Sequence, residues 1–127
     1  NPLFGKVKEI NQNKIKIETP DGDFVSTMNE NNKLNIGDEA IAFVRPESLF
    51  MPRDGDSFDN LIDVNIESFE FEGNIKNFYA TLKSGTKIKF SIPNAIDTSS
   101  ISSGTKLQLG FESTKSSILP KAQLAID

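Results

Sequence analysis

Apolar and polar residues alternate with a period of two along most of this chain. In NKIKIET, Ile15 and Ile17 fall on one face, and the lysines and the glutamate fall on the other. NFYATL, KIKFSI and KLQLGF show the same alternation. Successive side chains of a β-strand point to opposite faces of its sheet, so this pattern is typical of half-buried strands. The sequence therefore predicts an all-β fold.

Turn residues separate the predicted strands. The stretch 83–86 (KSGT) predicts a tight hairpin in which Gly85 takes a positive φ, and TPDGDF predicts a second hairpin. In VNIESFEFEG, Val64 and Ile66 share one face but Phe69 and Phe71 fall on the other, which indicates a β-bulge or a strand serving two cores. Only NENNKLN and IDTSSISS leave room for a helical turn.

The chain contains an internal repeat. LNIGDEAIAFVRPESLF and SSISSGTKLQLGFESTKSSIL both run from an apolar residue through a glycine into an alternating strand, so that Gly37 matches Gly104. Two strands joined by a glycine turn precede each copy. We therefore predict a first strand-hairpin-loop-strand repeat over residues 1–51, a connector over 52–60 and a second repeat over 61–127. Two such units would build one or two small β-barrels.

Composition excludes several classes of function. The 127 residues carry a net charge of -4 and include no Cys, His or Trp. A Ser-His-Asp or Cys-His triad is therefore impossible within the chain, and the usual zinc ligands are missing. No GxxxxGK[ST] loop, signal-peptide pattern or membrane-length apolar run occurs. The sequence begins at Asn1, so we expect a piece of a longer chain, and we expect no catalysis by this part alone.

The stretch DGDSFDN places Asp54, Asp56 and Asp59 close together in sequence. Three nearby carboxylates are compatible with a Ca²⁺ loop, but Phe58 and Asp59 stand where an EF-hand requires a ligand and a glycine. The Pro, Gly and Asp residues around them favour a solvated connector between the repeats. We therefore predict no metal site in this stretch.

Two groups of side chains on the predicted strands and hairpin are candidate binding or catalytic sites. Three lysines and the only tyrosine would suit single-stranded nucleic acid, which binds to cations and stacking rings, but a solvated strand face is the favoured interpretation. Three glutamates would suit acid-base chemistry, but we interpret them as edge charges that discourage strand aggregation. These residues are Lys83, Lys87, Lys89 and Tyr79 in the first group, and Glu67, Glu70 and Glu72 in the second.

An Arg-Pro-Glu triplet interrupts the apolar stretch AFVRPESLFM. Pro46 has no N–H, so the strand before it must stop, and Arg45 before the proline is held extended. Proline suits the first turn of a helix, and Glu47 is favourable at a helix N-terminus, so PESLF predicts one helical turn. Arg45 and Glu47 also suit an ion pair across a subunit contact. A structural role for the triplet, as a strand stop and helix start, is favoured over a role at a subunit interface.

The order of these motifs resembles one protein family over essentially the whole chain. NPLFGKV, GDEAIAFVRPESL, FEGNIKNFYATLKSGTKIKF and SGTKLQLGF follow each other as in the C-terminal TOBE-type regulatory region of ABC importer ATPases. Asn1, Phe4 and Gly5 match the opening of the family's first strand. The resemblance assigns structural or interface roles to Gly37, Asp38, Arg45, Pro46, Glu47, Phe71, Gly73, Gly85 and Gly104.

The resemblance implies an OB-like β-barrel region that regulates or stabilises ATP-driven import without catalysis of its own. ATP and Mg²⁺ would be bound by an upstream nucleotide-binding domain, so no cofactor is expected here. The implied partners are a second copy in a homodimer, the upstream domain and, indirectly, the membrane subunits, with no nucleic acid. The implied location is the cytoplasmic face of the inner membrane, with polyamine or ferric iron as the transported solute.

Relatives of this fold also bind molybdate as tandem barrel repeats. They typically open each repeat with Ser-Ala-Arg-Asn, which this sequence does not contain. An oxyanion-binding or small-ligand module is therefore the alternative function.

Overall fold

The computed structural model describes residues 1–29 and 33–124, whose regular secondary structure is almost entirely β-strand. The strands are β1 (Pro2–Asn11), β2 (Lys14–Thr19), β3 (Gly22–Met28), β4 (Glu39–Val44), β5 (Asn60–Glu72), β6 (Ile75–Thr81), β7 (Lys87–Pro93), β8 (Lys106–Phe111) and β9 (Ser116–Pro120). A first 3₁₀ turn (Pro46–Ser48) follows β4, a second (Ser113–Lys115) follows β8, and one helical turn, α1 (Lys121–Leu124), follows β9. The all-β prediction is confirmed.

Burial follows the period-two pattern. Ile15 and Ile17 of β2 are fully buried, as are Phe78 of β6 and Phe90 of β7, whose rings stack with centroids 5.0 Å apart. Buried residues from both halves of the chain belong to one continuous hydrophobic cluster. The free energy of burying this apolar surface, roughly 25 cal/mol per Å², is what holds the strands together.

The strands form one closed barrel and one four-stranded sheet. The barrel has the order β1-β2-β3-β9-β4, and the sheet has the order β7-β6-β5-β8. Strand β9 pairs antiparallel with β4 and parallel with β3, so a strand from the second repeat completes the barrel of the first. The barrel therefore contains strands from both sides of the predicted connector at 52–60.

The second repeat receives a smaller counterpart of this exchange. Phe50, which follows the first 3₁₀ turn, exchanges two main-chain hydrogen bonds with Gly110 of β8 at 2.8 and 3.0 Å. In the barrel, Phe43 of β4 pairs with Ser117 of β9 in the corresponding register. In each repeat, the segment that follows the 3₁₀ turn thus pairs with a strand of the other repeat. This segment is β9 in the second repeat and Phe50 in the first.

A β-bulge lies at the corresponding place in each repeat. The register between β5 and β6 shifts between Ile66 and Ser68, which confirms the bulge expected from the change of phase in VNIESFEFEG. A matching shift between β1 and β2 lies between Val7 and Glu9. The bulges bend the long strands β1 and β5, as strands of a small barrel require.

The helical segments differ from those expected. IDTSSISS forms turns only, and part of NENNKLN lies outside the described residues. The one helical turn expected in PESLF is present as the first 3₁₀ turn, with Pro46 in its first positions and Arg45 extended at ψ 147°. The second 3₁₀ turn and α1 were not expected. STK carries no proline to mark a turn, and four residues are too few for a helical apolar period.

Candidate functional site at the repeat junction

Two asparagines join the repeats in a reciprocal way. Asn60, at the start of β5, accepts a hydrogen bond from the Val25 N–H at 2.7 Å and donates one to the Val25 carbonyl at 2.8 Å. Asn1, just before β1, makes the same pair of bonds with Lys89 on β7, at 2.7 and 2.6 Å. A planar side-chain amide can accept from the N–H and donate to the carbonyl of one residue. Each asparagine therefore adds a pair of hydrogen bonds between the repeats, like a pair in a β-sheet.

The β2–β3 turn meets the β6–β7 turn at the same junction. The Asp21 carboxylate accepts hydrogen bonds from the Ser84 N–H at 2.8 Å and from the Ser84 hydroxyl at 2.7 Å. Proline and glycine around Asp21 form its turn, and Gly85 with φ 95° forms the other. The carboxylate thus lies in a small cradle of donors provided by a turn of the other repeat.

A second carboxylate is held in the same manner by the second 3₁₀ turn. Asp59, the residue before β5, accepts from the Ser113 N–H at 2.7 Å and from the Ser113 hydroxyl at 2.6 Å. Lys14 of β2 places its Nζ 2.6 Å from the same hydroxyl, and Thr27 of β3 donates to the Ser113 carbonyl at 3.0 Å. Ser113 is almost fully buried, whereas Asp59 is exposed.

These residues make the donor cluster of the junction, which we define as Lys14, Thr27 and Ser113. An ammonium group, hydroxyl groups and a backbone N–H from three separate elements converge there, next to one negatively charged group. Charge-assisted hydrogen bonds of this type are about twice as strong as neutral ones. Within the cluster, the N–H and hydroxyl of Ser113 contact the Asp59 carboxylate, whereas Lys14 and Thr27 bind the hydroxyl and the carbonyl of Ser113.

The first repeat has no matching cluster. Its 3₁₀ turn opens with Pro46 at the place that Ser113 takes in the second repeat, and proline has neither an N–H nor a hydroxyl. Among the described residues, the junction therefore contains one donor cluster of this composition. The proline that shapes the first turn is also what removes the donors.

The residues that the family resemblance singled out do not form one site. Gly37 and Gly104 lie in the turns before β4 and β8 with φ 92° and 89°, and the carboxylate of Asp38 accepts the Asn35 N–H in the first of these turns. Phe71 is largely exposed near one end of β6, beside Gly73 at φ 60°. Gly85 lies beyond the opposite end of that strand. These positions shape turns at several separated places.

The triplet stands on the surface. Arg45 and Glu47 are exposed on either side of Pro46, and within the described residues neither forms an ion pair. Glu47 lines a cleft of about 680 Å³ beside the connector, together with Arg53, Asp56 and Asp97. A backbone hydrogen bond from Ser99 holds the pKa of Asp97 below its usual value.

Two of the three connector aspartates form hydrogen bonds with different parts of the chain. Asp56 binds the Arg53 backbone, whereas Asp59 binds Ser113. The described residues contain no group of three or more His, Cys, Asp or Glu side chains arranged for a metal ion.

The glutamates of β5 pair with polar side chains of β6. Glu70 accepts the Tyr79 hydroxyl at 2.6 Å, Glu72 accepts from Asn77 at 2.6 Å, and Glu67 accepts from Thr81. The Lys89 ammonium lies 6.0 Å from the Tyr79 ring, while Lys83 and Lys87 flank the turn between β6 and β7. Each glutamate thus has a cross-strand partner of its own.

Sequence reasoning did not identify Asn1 and Asn60 as a reciprocal pair, nor the contact of Ser113 with Asp59 and Lys14. Aligning the repeats from their first strands, NPLFG with NLIDV, would have revealed the matched asparagines. No local signal marks Lys14 or Ser113, because the contact between them joins residues 99 positions apart.

The fold defines the chain as an all-β protein with an OB-like barrel. It is similar to the cytoplasmic molybdate-binding protein ModG, whose crystal structure with molybdate bound superposes with a TM-score of 0.78 at 18% identity, covering 94% of this chain and 96% of that one. At this identity, the likeness shows the fold. No family model and no curated protein matches the sequence. None of the described helices has the length and apolarity needed to cross a bilayer.

Proposed function

We propose that this chain is a non-catalytic, cytoplasmic binding module that takes a tetrahedral oxyanion of the molybdate class at the donor cluster of the junction. The observation that carries the proposal is the pair of donors on Ser113, which already hold a carboxylate with Lys14 beside them. A tetrahedral oxyanion accepts the same N–H and O–H hydrogen bonds, and its charge is attracted by the nearby Lys14 ammonium. The shared fold of the molybdate-binding protein ModG supports this ligand class.

Asp59 decides how tightly such a ligand binds. Its carboxylate occupies the donors of Ser113, so an incoming oxyanion must displace it and then lie near its charge. Exposure of Asp59 leaves it free to swing into solvent, whereas buried Ser113 stays in place. We therefore expect weak binding to the wild-type chain and tighter binding once the carboxylate is neutralised.

Calorimetry with molybdate, tungstate and sulfate tests this site. We expect Asp59→Asn to bind molybdate about tenfold more tightly than the wild type, because one competing charge is removed. Ser113→Ala should abolish the heat of binding. Asp63→Asn is the matched control, since it removes an exposed carboxylate of β5 outside the cluster, and it should behave as the wild type. Absence of binding to both the wild type and Asp59→Asn would overturn the proposal.

We also propose a second candidate, the regulatory and dimerisation domain of an ABC importer ATPase for polyamine or ferric iron. The observation that favours it is the exposed pair Arg45 and Glu47, which have no ionic partner among the described residues and are available to a second copy or an upstream domain. In this case ATP and Mg²⁺ bind to the upstream domain, and the membrane subunits are indirect partners.

The coding sequence immediately upstream of Asn1 tests the second candidate. We expect it to encode a nucleotide-binding domain with a GxxxxGK[ST] loop. A stop codon or an unrelated domain at that place would contradict it. Light scattering of the longer chain should then report a dimer that Arg45→Glu weakens.

A further inference from the structure

Each repeat carries a groove at the same place in its fold. The groove of the first repeat lies over β1, the end of β2 and the start of β4. The groove of the second repeat lies over β5, the end of β6 and the start of β8, and has a volume of about 740 Å³. Its lining consists of Asp63, Val64, Asn65, Thr81, Leu82, Lys83, Lys106, Leu107 and Gln108.

The chain itself provides an occupant for the first groove. Lys121, the first residue of α1, lines that groove and places its ammonium 3.8 Å from the carboxylate of Glu39 at the start of β4. Glu18 at the end of β2 adds a second carboxylate. A cationic residue at the beginning of a helical turn therefore lies beside two carboxylates, in a groove whose lining also includes Lys6.

The charges are reversed in the second groove. Lys106 begins β8, as Glu39 begins β4, and Thr81 takes the position at the end of β6 that Glu18 has at the end of β2. Lys83 adds another positive charge, while Asp63 is the one acidic residue of the lining. The groove thus favours a negatively charged occupant in a protein whose net charge is -4.

No part of the described chain covers the second groove in the way that α1 flanks the first. The corresponding connector turns away after Phe50, with the Arg53 N–H bound to Asp56, and it lines the other cleft. The base of the second groove consists of half-buried Leu107 and of the edges of the core residues Val64 and Leu82, beneath two exposed lysines.

We propose that the second groove docks a short segment of a partner protein that carries a carboxylate flanked by apolar residues. The carboxylate pairs with Lys106 and Lys83, in the place where Lys121 meets Glu39 in the first repeat. The neighbouring apolar side chains pack on half-buried Leu107. This proposal does not depend on oxyanion binding at the donor cluster.

Two peptides derived from the chain test the docking proposal. Blocked peptides of Leu119–Leu124 (LPKAQL), unchanged and with Lys121→Glu, are titrated into the isotope-labelled protein while its backbone amide shifts are followed by NMR. The Lys121→Glu peptide should shift the amides of Asn65, Leu82 and Lys106. The unchanged peptide should leave these amides in place, because its lysine faces Lys106.

Charge-reversing variants give the test its specificity. Lys106→Glu should bind the acidic peptide about tenfold more weakly, because an attraction becomes a repulsion, and should gain affinity for the unchanged peptide. Lys115→Glu is the matched control, with the same change of charge on the second 3₁₀ turn outside the groove. Equal binding of both peptides, no binding of the acidic one, or equal binding by a blocked single glutamate would overturn the proposal.

Discussion

The Asn60 side chain binds both the N–H and the carbonyl of Val25, so a residue of the second repeat supplies two hydrogen bonds to a strand of the first. Asn60 is only 3% exposed, and the two residues lie 35 positions apart in sequence. Asn1 repeats the arrangement on Lys89 of the second repeat. The repeats are therefore joined by reciprocal side-chain clamps as well as by their shared core.

Asn60→Ala should lower the free energy of unfolding by about 2–4 kcal/mol, because two backbone groups of half-buried Val25 lose the partner that buried Asn60 provides. Urea unfolding measures the change. Asn65→Ala is the control on the same strand, since Asn65 is exposed, and it should change the stability by less than about 0.5 kcal/mol. Equal effects of the two substitutions would contradict the role of the clamp.

Gly5→Ala should destabilise the barrel by about 2–3 kcal/mol, because a Cβ there would lie 2.5 Å from the Glu18 carbonyl oxygen, which belongs to a paired strand. Gly110→Ala is a useful comparison. Its Cβ would lie 3.2–3.3 Å from the side chains of Phe50, Phe58 and Pro52, which are able to shift. Thermal unfolding should show the larger loss for Gly5→Ala, and the reverse order would contradict this steric argument.

Tyr79 should ionise at a higher pH than a free tyrosine, because its hydroxyl donates to Glu70 and that bond raises the pKa of the phenol. The chain contains one tyrosine and no tryptophan, so the ultraviolet absorbance of phenolate reports Tyr79 alone. Glu70→Gln should bring the pKa back towards its ordinary value. An unchanged titration curve in this variant would contradict the assignment.

The sign of the linked effect on stability follows from the raised pKa. The hydrogen bond stabilises the fold while the phenol is protonated, that is, below the ordinary pKa of about 10. This contribution is lost as the pH rises through the folded-state pKa of Tyr79. The free energy of unfolding of the wild type should therefore fall as the pH rises through this range. The Glu70→Gln variant should lack this part of the pH dependence.

Pro46→Ala should affect folding more than Arg45→Ala or Glu47→Ala. The proline fixes the first 3₁₀ turn, and its replacement costs about 0.4–1 kcal/mol through the entropy of the unfolded chain. The two charged residues are exposed and should change stability by less than about 0.5 kcal/mol. Urea midpoints measure all three variants. If the charge deletions unfold the domain as readily as Pro46→Ala, Arg45 and Glu47 have a structural role rather than one at an interface.

Several parts of the fold could be predicted from sequence because they depend on near neighbours. The buried faces containing Ile15 and Phe78, the turn at Gly85 and the bulge after Ile66 each follow from residues a few positions apart. Apolar and polar residues must alternate along a strand that buries one face, so a change of phase in this alternation indicates a bulge. Gly37 and Gly104, which match in the two repeats, likewise have nearly the same positive φ in corresponding turns.

The candidate site did not follow from sequence in this way. The hydrogen bonds of Asp59 with Ser113 and of Asp21 with Ser84 join residues 54 and 63 positions apart. Asp59 drew attention only as a possible metal ligand, because its neighbours in sequence are acidic. Its actual partner comes from a turn that lies far along the chain.

The sequence by itself determined the strands, the hairpins and the two repeats, because alternation, turn residues and glycines act over a few residues. Only the tertiary structure decided that β9 completes the barrel of the first repeat and that α1 thereby comes to lie beside one groove and not the other. Strand pairing uses the same backbone groups in every strand, so the choice between possible partners depends on how the whole core packs.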